Sequence, residues 1–298
     1  SIGIQISNSL ARNNKVLGNL IGTNKEGDKL VNVPDLATGF PVAVFINDSP
    51  GNQIGGTTAG AGNVISGFGV AVYISGFNAS GNAIQKNLIG TVRTLPNGQV
   101  LDDAVGVGVY INGAAGNIVG GATGDAGNVI AGYASYGVFI FGSLATGNVV
   151  QGNQIGVSAA KGQLAGVAIQ DASRNTVGGS TQTANTITGN HNAGVYIFGH
   201  GNSAVGNHIA KNQLQKNLYG VLLYNAPNNG SYLTLVNSNH FAKNGIAKVR
   251  EFTGAVPSAS HPSRTAATSR QEPSHHAVRL RPRPSISQPR PTTRHGAR

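Results

Sequence analysis

A short segment of the form Gly/Ala-Val-aromatic-Ile returns eight times along this chain. The copies are Gly3-Ile4-Gln5-Ile6, Ala43-Val44-Phe45-Ile46, Ala71-Val72-Tyr73-Ile74, Gly108-Val109-Tyr110-Ile111, Gly137-Val138-Phe139-Ile140, Gly166-Val167-Ala168-Ile169, Gly194-Val195-Tyr196-Ile197 and Gly220-Val221-Leu222-Leu223. Taken at the second position, the steps are 40, 28, 37, 29, 29, 28 and 26 residues. Between copies stand two further segments of the form Asn-x-Ile/Val, such as Asn52-Gln53-Ile54 and Asn63-Val64-Ile65. A unit of three such short segments cannot bury an apolar face alone, so it must stack on its neighbours as a solenoid. Two kinds of turn alternate: the gap from the last apolar residue of the first segment to the next Asn is six residues at Ile46, Ile111 and Ile169 and eight at Ile6, Ile74 and Ile140.

Strands this short make no stable hairpin sheet by themselves, whereas parallel pairing one turn above the other satisfies their backbone. The expectation is an all-β fold, a single-stranded right-handed parallel β-helix (solenoid) of about eight turns of three short strands, rising about 4.8 Å per turn. Alternation along each strand places Val44 and Ile46 inside and Phe45, Tyr73, Tyr110, Phe139 and Tyr196 outside, with Ala168 interrupting the outer row. Asn52, Asn63, Asn87, Asn128, Asn153 and Asn185 fall at corners, where amide side chains can ladder along the stack and satisfy turn backbone.

Composition agrees with this reading. Charged residues are only 10% and Gly numbers 44, which leaves little for the solvent faces of amphipathic helices. The net charge of +11 belongs mainly to the end of the chain: residues 249–298 hold nine Arg and two Glu, a net of +7, against twelve cations and eight anions before them. The earlier cations are scattered without aromatic interleaving, which argues against a nucleic-acid partner. Cysteine is absent, the histidines lack metal-ligand spacing, and no apolar run is long enough to span a bilayer, so no cofactor, metal or membrane span is expected. A start at Ser1 with no Met anywhere points to a piece of a larger parent chain, whose neighbouring repeats would continue the stack.

The stretches Gly51-Asn52-Gln53-Ile54-Gly55-Gly56-Thr57-Thr58-Ala59-Gly60-Ala61-Gly62-Asn63-Val64-Ile65-Ser66-Gly67 and Ala145-Thr146-Gly147-Asn148-Val149-Val150-Gln151-Gly152-Asn153-Gln154-Ile155-Gly156 resemble the bacterial right-handed parallel β-helix repeat proteins of the pectate-lyase-like superfamily. The resemblance covers about residues 1–248 and implies the fold, together with an extracellular or cell-surface address. Its members include lyases, hydrolases, epimerases, adhesins and spacers, so the fold alone assigns no activity.

The domain boundary is expected at residue 248. From 249 to 298 the text turns rich in Arg, Pro and Ser, with seven of the twelve prolines, and predicts a disordered tail whose abrupt onset suggests out-of-frame translation. Insertions at 24–41 and 92–105 leave by one corner and carry Glu26, Asp28, Asp35, Asp102 and Asp103. Both ends of the stack are expected to be open strand edges.

Two places carry candidate chemistry. Gly199-His200-Gly201-Asn202-Ser203 looks like the Gly-His-Gly-x-Ser element of polygalacturonases, and Asp171 leaves its strand one turn earlier, beside His200. Glycoside hydrolysis needs two carboxyl groups, however, and the other elements of that family are missing from the neighbouring turns. The outward aromatic row offers flat rings to sugar faces or to a protein partner. The reading is therefore a non-catalytic extracellular β-helix scaffold for display, adhesion or polysaccharide contact, the alternative being a polysaccharide lyase or glycoside hydrolase.

Overall fold

The computed structural model describes residues 1–31, 41–91, 106–156, 163–200, 203–226, 228–230 and 232–253. Within the unit Ser1–Val256, every one of the eight recurring segments is a strand, and each pairs in parallel with its counterpart one turn away. The register is uniform: Val44 lies against Val72, Val72 against Val109, Val109 against Val138, and so on to Val221. The chain is an all-β parallel solenoid with three sheets, which hold nine, seven and eight strands among the described residues. The unit Pro257–Arg298, and with it most of the expected disordered tail, lies outside the described residues. Asp35, Asp102 and Asp103 also lie outside them.

The sequence pattern accounts for the interior directly. Val44, Ile46, Val72, Ile74, Val109 and Ile111 are fully buried in one cluster that runs along the stack and takes in Ile54, Ile84, Val119 and Val150 from the second sheet and Ile65, Ile89, Ile130 and Ile155 from the third. Each column repeats one side-chain shape at the spacing of the turns, so aliphatic contact is continuous along the axis.

The six corner asparagines named above divide between two ladders. Asn52 belongs to one that joins Asn14, Asn52, Asn82, Asn117, Asn148, Asn175, Asn207 and Asn229. Asn63, Asn87, Asn128, Asn153 and Asn185 belong to the other, with Asn19, Asn212 and Asn239. A third, shorter ladder at the remaining corner joins Asn190, Asn217 and Asn244. At Asn128 the pattern is complete: Oδ1 accepts from both N and Nδ2 of Asn87 at 2.9 Å, while Nδ2 donates to Oδ1 of Asn153 at 2.9 Å and to the carbonyl of Ile84 at 2.8 Å. Four polar groups of the two flanking turns are thus paired by one buried side chain.

At the C-terminal end the first and third sheets finish, among the described residues, on strands paired on one side, the open edge expected, while a helix stands in the place of the second sheet. Helix Tyr232–Ser238 follows the eighth strand of the first sheet at the point where the other turns place a strand of the second sheet, and it buries Leu235 in the core cluster. The final strand, Ala247–Phe252, carries the parallel pairing past the boundary expected at 248. It sets Glu251 against Leu223, at the register position of the interior Ile column, and Glu251 and Lys248 are exposed. Charge on an interior column of an edge strand opposes further stacking.

Candidate functional site

Asp171 and His200 are brought together by the winding. Asp171 follows the strand Ala165–Gln170 and His200 follows its neighbour Ala193–Phe198, so the two corners lie one turn apart. His200 Nδ1 lies 2.9 Å from Asp171 Oδ2 and 3.2 Å from Oδ1. The His200 backbone N–H donates to Oδ1 at 2.8 Å and also to Ser203 Oγ at 2.9 Å, and the Ser203 hydroxyl donates to the same Asp171 oxygen. Burial pushes the Asp171 carboxyl up, but the hydrogen bonds from Ser203 and from the backbone and ring of His200, with the charge of that ring, together outweigh it and hold the group below the usual carboxylate range.

This arrangement differs from a nucleophilic one. The Ser203 hydroxyl donates to the carboxylate and not to the imidazole, so the serine–histidine contact of a catalytic triad is not the one formed. The paired imidazole is 84% exposed. Among the described residues, Asp171 is the only carboxylate within ion-pairing distance of His200, and no cluster of three acidic, His or Cys side chains could hold a metal ion.

The same corner two double turns earlier explains what the acid does. Asp48 occupies the equivalent position after its strand, with a φ of 50° identical to that of Asp171, and Gly113 stands between them at 62°. Asp48 Oδ1 accepts the backbone N–H of Asn78 in the next turn at 3.2 Å, as Asp171 accepts that of His200. A carboxylate here caps the loop one turn on, with or without a histidine in it. The acids Glu26 and Asp28 of the first insertion are likewise tied locally, each accepting from Asn24 Nδ2 at 2.8 Å.

Of the aromatic row, Tyr73, Tyr110 and Phe139 lie in a second apolar cluster outside the main core, on the outer face of the first sheet, and Tyr196 in a third. Phe45, Tyr73, Tyr110 and Phe139 stack ring on ring, with centroids 5.0, 4.9 and 5.0 Å apart and interplanar angles of 20°, 7° and 12°. Ala168 breaks the stack, and Tyr196 beyond it packs on Phe198 at 4.4 Å. Tyr110 is therefore only 4% exposed and Phe139 9%, while Phe45, Tyr73 and Tyr196 are half-buried. Ring faces are spent on one another, and what the column offers to a ligand is ring edges and the half-buried rings at its ends. Tyr136 and Phe141 widen the cluster around Phe139 at 4.9 and 5.8 Å.

Desolvation raises the phenols of this layer, Tyr136 to about 12 and Tyr110 and Tyr196 likewise upward. A phenol held protonated in the fold stabilises it fully below the unfolded value of 10.0, and that contribution is lost as pH rises from there through the folded value. For Tyr136 the loss is about 2–3 kcal/mol across that window. Tyrosinate absorbance followed against pH is expected to rise in two stages in the folded protein and in one stage in denaturant. A single stage near 10 in the folded protein would remove the buried aromatic layer from the account.

No protein-family model matches the sequence. No curated protein matches it either. Among solved structures, the periplasmic alginate epimerase AlgG aligns with 71% of this chain and 43% of its own, at 13% identity and a TM-score of 0.42. The A-module of the Azotobacter vinelandii mannuronan C-5 epimerase AlgE4 aligns over 85% of this chain and 56% of its own, at 12% and 0.34. PfbA, a surface adhesin of Streptococcus pneumoniae, covers 84% and 71%, at 10% and 0.20. The likenesses are thus to alginate epimerases and to an adhesin. The chain spans about half the length of the epimerase structures it matches. Strand pairing within the chain itself, more than any of these likenesses, carries the assignment of a parallel β-helix. Among the described residues no helix is long and apolar enough to cross a membrane.

Proposed function

We propose that this chain is a non-catalytic extracellular or cell-surface scaffold, whose stack of turns holds an outer face for adhesion or polysaccharide contact. The observation that carries the reading is the shared role of Asp48 and Asp171. The acid beside His200 caps a loop in both places, so the pair that most resembles catalytic machinery has a structural use. That Asp171 is the one carboxylate beside His200 among the described residues supports the same reading, because glycoside cleavage divides acid and base or nucleophile between two carboxyl groups. Support for contact comes from the apolar cluster outside the first sheet, with Phe45 and Tyr196 half-buried at the ends of its columns.

Retention on immobilised bacterial cell-wall polysaccharide tests it. The parent chain is expected to be retained without releasing reducing sugar, and Phe45→Ser with Tyr196→Ser to weaken retention about tenfold, the loss of one well-packed ring contact or more. Sugar or unsaturated uronate released by the parent and abolished in Asp171→Asn would replace this reading by the enzymatic one. Absence of retention in the parent would remove the contact role.

A further inference from the structure

Corners of this solenoid pass through left-handed backbone just before a ladder asparagine, and most use glycine there. Gly51, Gly81, Gly116 and Gly147 precede Asn52, Asn82, Asn117 and Asn148 with φ of 69°, 67°, 67° and 67°. Other corners carry a side chain there, as at Lys86 and Arg174 before Asn87 and Asn175 with φ of 53° and 58°, and near the C-terminal end lysine takes the position three times in adjacent turns. Lys211, Lys216 and Lys243 precede Asn212, Asn217 and Asn244 with φ of 61°, 53° and 55°. An L side chain is disfavoured in this region, where glycine is not. A strained residue kept where glycine serves elsewhere in the same fold points to a use for its side chain.

The three lysines frame one surface. Lys211 and Lys216 stand on either side of strand Gln213–Gln215 of the third sheet, and Lys243 follows strand His240–Ala242 one turn on from Lys216. All three are exposed, as are Gln213 and His240, which pair in register between them. An open cleft of about 480 Å³ at this place is lined by Lys211, Gln213, Ser238 and His240 among others. Among the described residues no carboxylate forms an ion pair with any of the three lysines. The outward positions of the two strands offer amide and imidazole groups and no phenyl, phenol or indole ring, which provides neither a base-stacking platform nor an apolar anchor for a protein. Lysine is a compact point charge suited to phosphate oxygens, whereas planar carboxylates are best gripped by the arginine fork.

We propose that this corner binds a polyol chain linked through phosphodiesters, with phosphates on Lys211, Lys216 and Lys243 and hydroxyl groups on Gln213 and His240. The surface belongs to the third sheet and the aromatic columns to the first, so either contact can fail without the other.

The test uses the full chain and poly(glycerol phosphate) as probe. Lys211→Gly, Lys216→Gly and Lys243→Gly are combined in one variant, because glycine removes the charge while suiting the backbone; the corresponding Asn variant, also tolerant of this conformation, serves as a second. The parent is expected to bind the probe and to gain hydrogen-exchange protection over residues 213–215 and 240–242. Both variants are expected to bind at least tenfold more weakly and lose that protection, with the glycine variant's thermal midpoint unchanged or higher. The Arg-rich end of the chain is the same in all three proteins, so equal affinity would assign binding to it and overturn the proposal. Failure of the parent to bind would overturn it too, as would equally tight binding of dextran sulfate or polygalacturonate.

Discussion

Asn128→Ala is expected to lower stability by about 3–5 kcal/mol, close to the largest effect a single polar substitution has in a fold of this size. The truncation leaves the backbone N–H of Asn87 without its acceptor, removes one of the two acceptors of Asn87 Nδ2 and the side-chain donor to the carbonyl of Ile84, and halves the donors reaching Asn153. All of these groups are buried, and each buried unpaired group costs about 1–3 kcal/mol. Relaxation and water entry recover part of that sum. Denaturant titration of parent and variant measures the difference. A loss under about 1 kcal/mol would mean that the ladder adds little beyond what solvent supplies.

Gly120→Ala is expected to be at least as damaging, through backbone alone. Gly120 has a φ of 89°, and a Cβ built there would lie 1.9 Å from the carbonyl oxygen of Gln151 in the next turn. Neither atom can yield without separating two turns whose strands pair at this point. Gly147 supplies the contrast: its φ is 67°, yet a Cβ there meets nothing within 4 Å. Its replacement by Ala is expected to cost about 1 kcal/mol, the conformational penalty without the collision. Thermal midpoints of the two variants should therefore differ widely. Equal midpoints would show that turn-to-turn contact at Gly120 is looser than the pairing requires.

These contrasts indicate which parts of the molecule its sequence makes readable. The interior columns are legible because Val44 and Ile46 and their counterparts keep one alternation through turns of unequal length, and a fixed alternation admits one inside face. The Asn columns are legible in kind, since Asn-x-Ile/Val recurs, but their number is not. Asn82, Asn117 and Asn148 satisfy that pattern as well as Asn87, Asn128 and Asn153 do, and only the pairing of turns separates the two ladders. The third ladder escapes the pattern because Asn190 and Asn217 are followed two positions on by Asn192 and Tyr219, which leaves Asn244, before Gly245 and Ile246, as a single match.

At the candidate site, the nearness of Asp171 and His200 follows from counting residues past their strands. The purpose of the acid does not, because it depends on which backbone N–H the carboxylate reaches, and Asp48 carries no sequence neighbour resembling His200. The outward direction of Phe45, Tyr73, Tyr110 and Phe139 also follows from alternation, whereas their ring-on-ring stacking depends on side-chain rotamers. The replacement of a second-sheet strand by helix Tyr232–Ser238 is likewise unreadable from a pattern search, since a strand and one short helix can fill the same gap in the repeat.

With no native cysteine to interfere, spin labels on Lys15→Cys and His208→Cys measure the stacking itself. Residues 15 and 208 open the first and last strands of the seven-stranded sheet, six pairings apart. At about 4.8 Å per pairing, parallel stacking gives a single narrow distance near 29 Å, halved when the second label is moved to Ile118→Cys. A broad distribution, or a distance that fails to shrink with the number of turns between the labels, would contradict it.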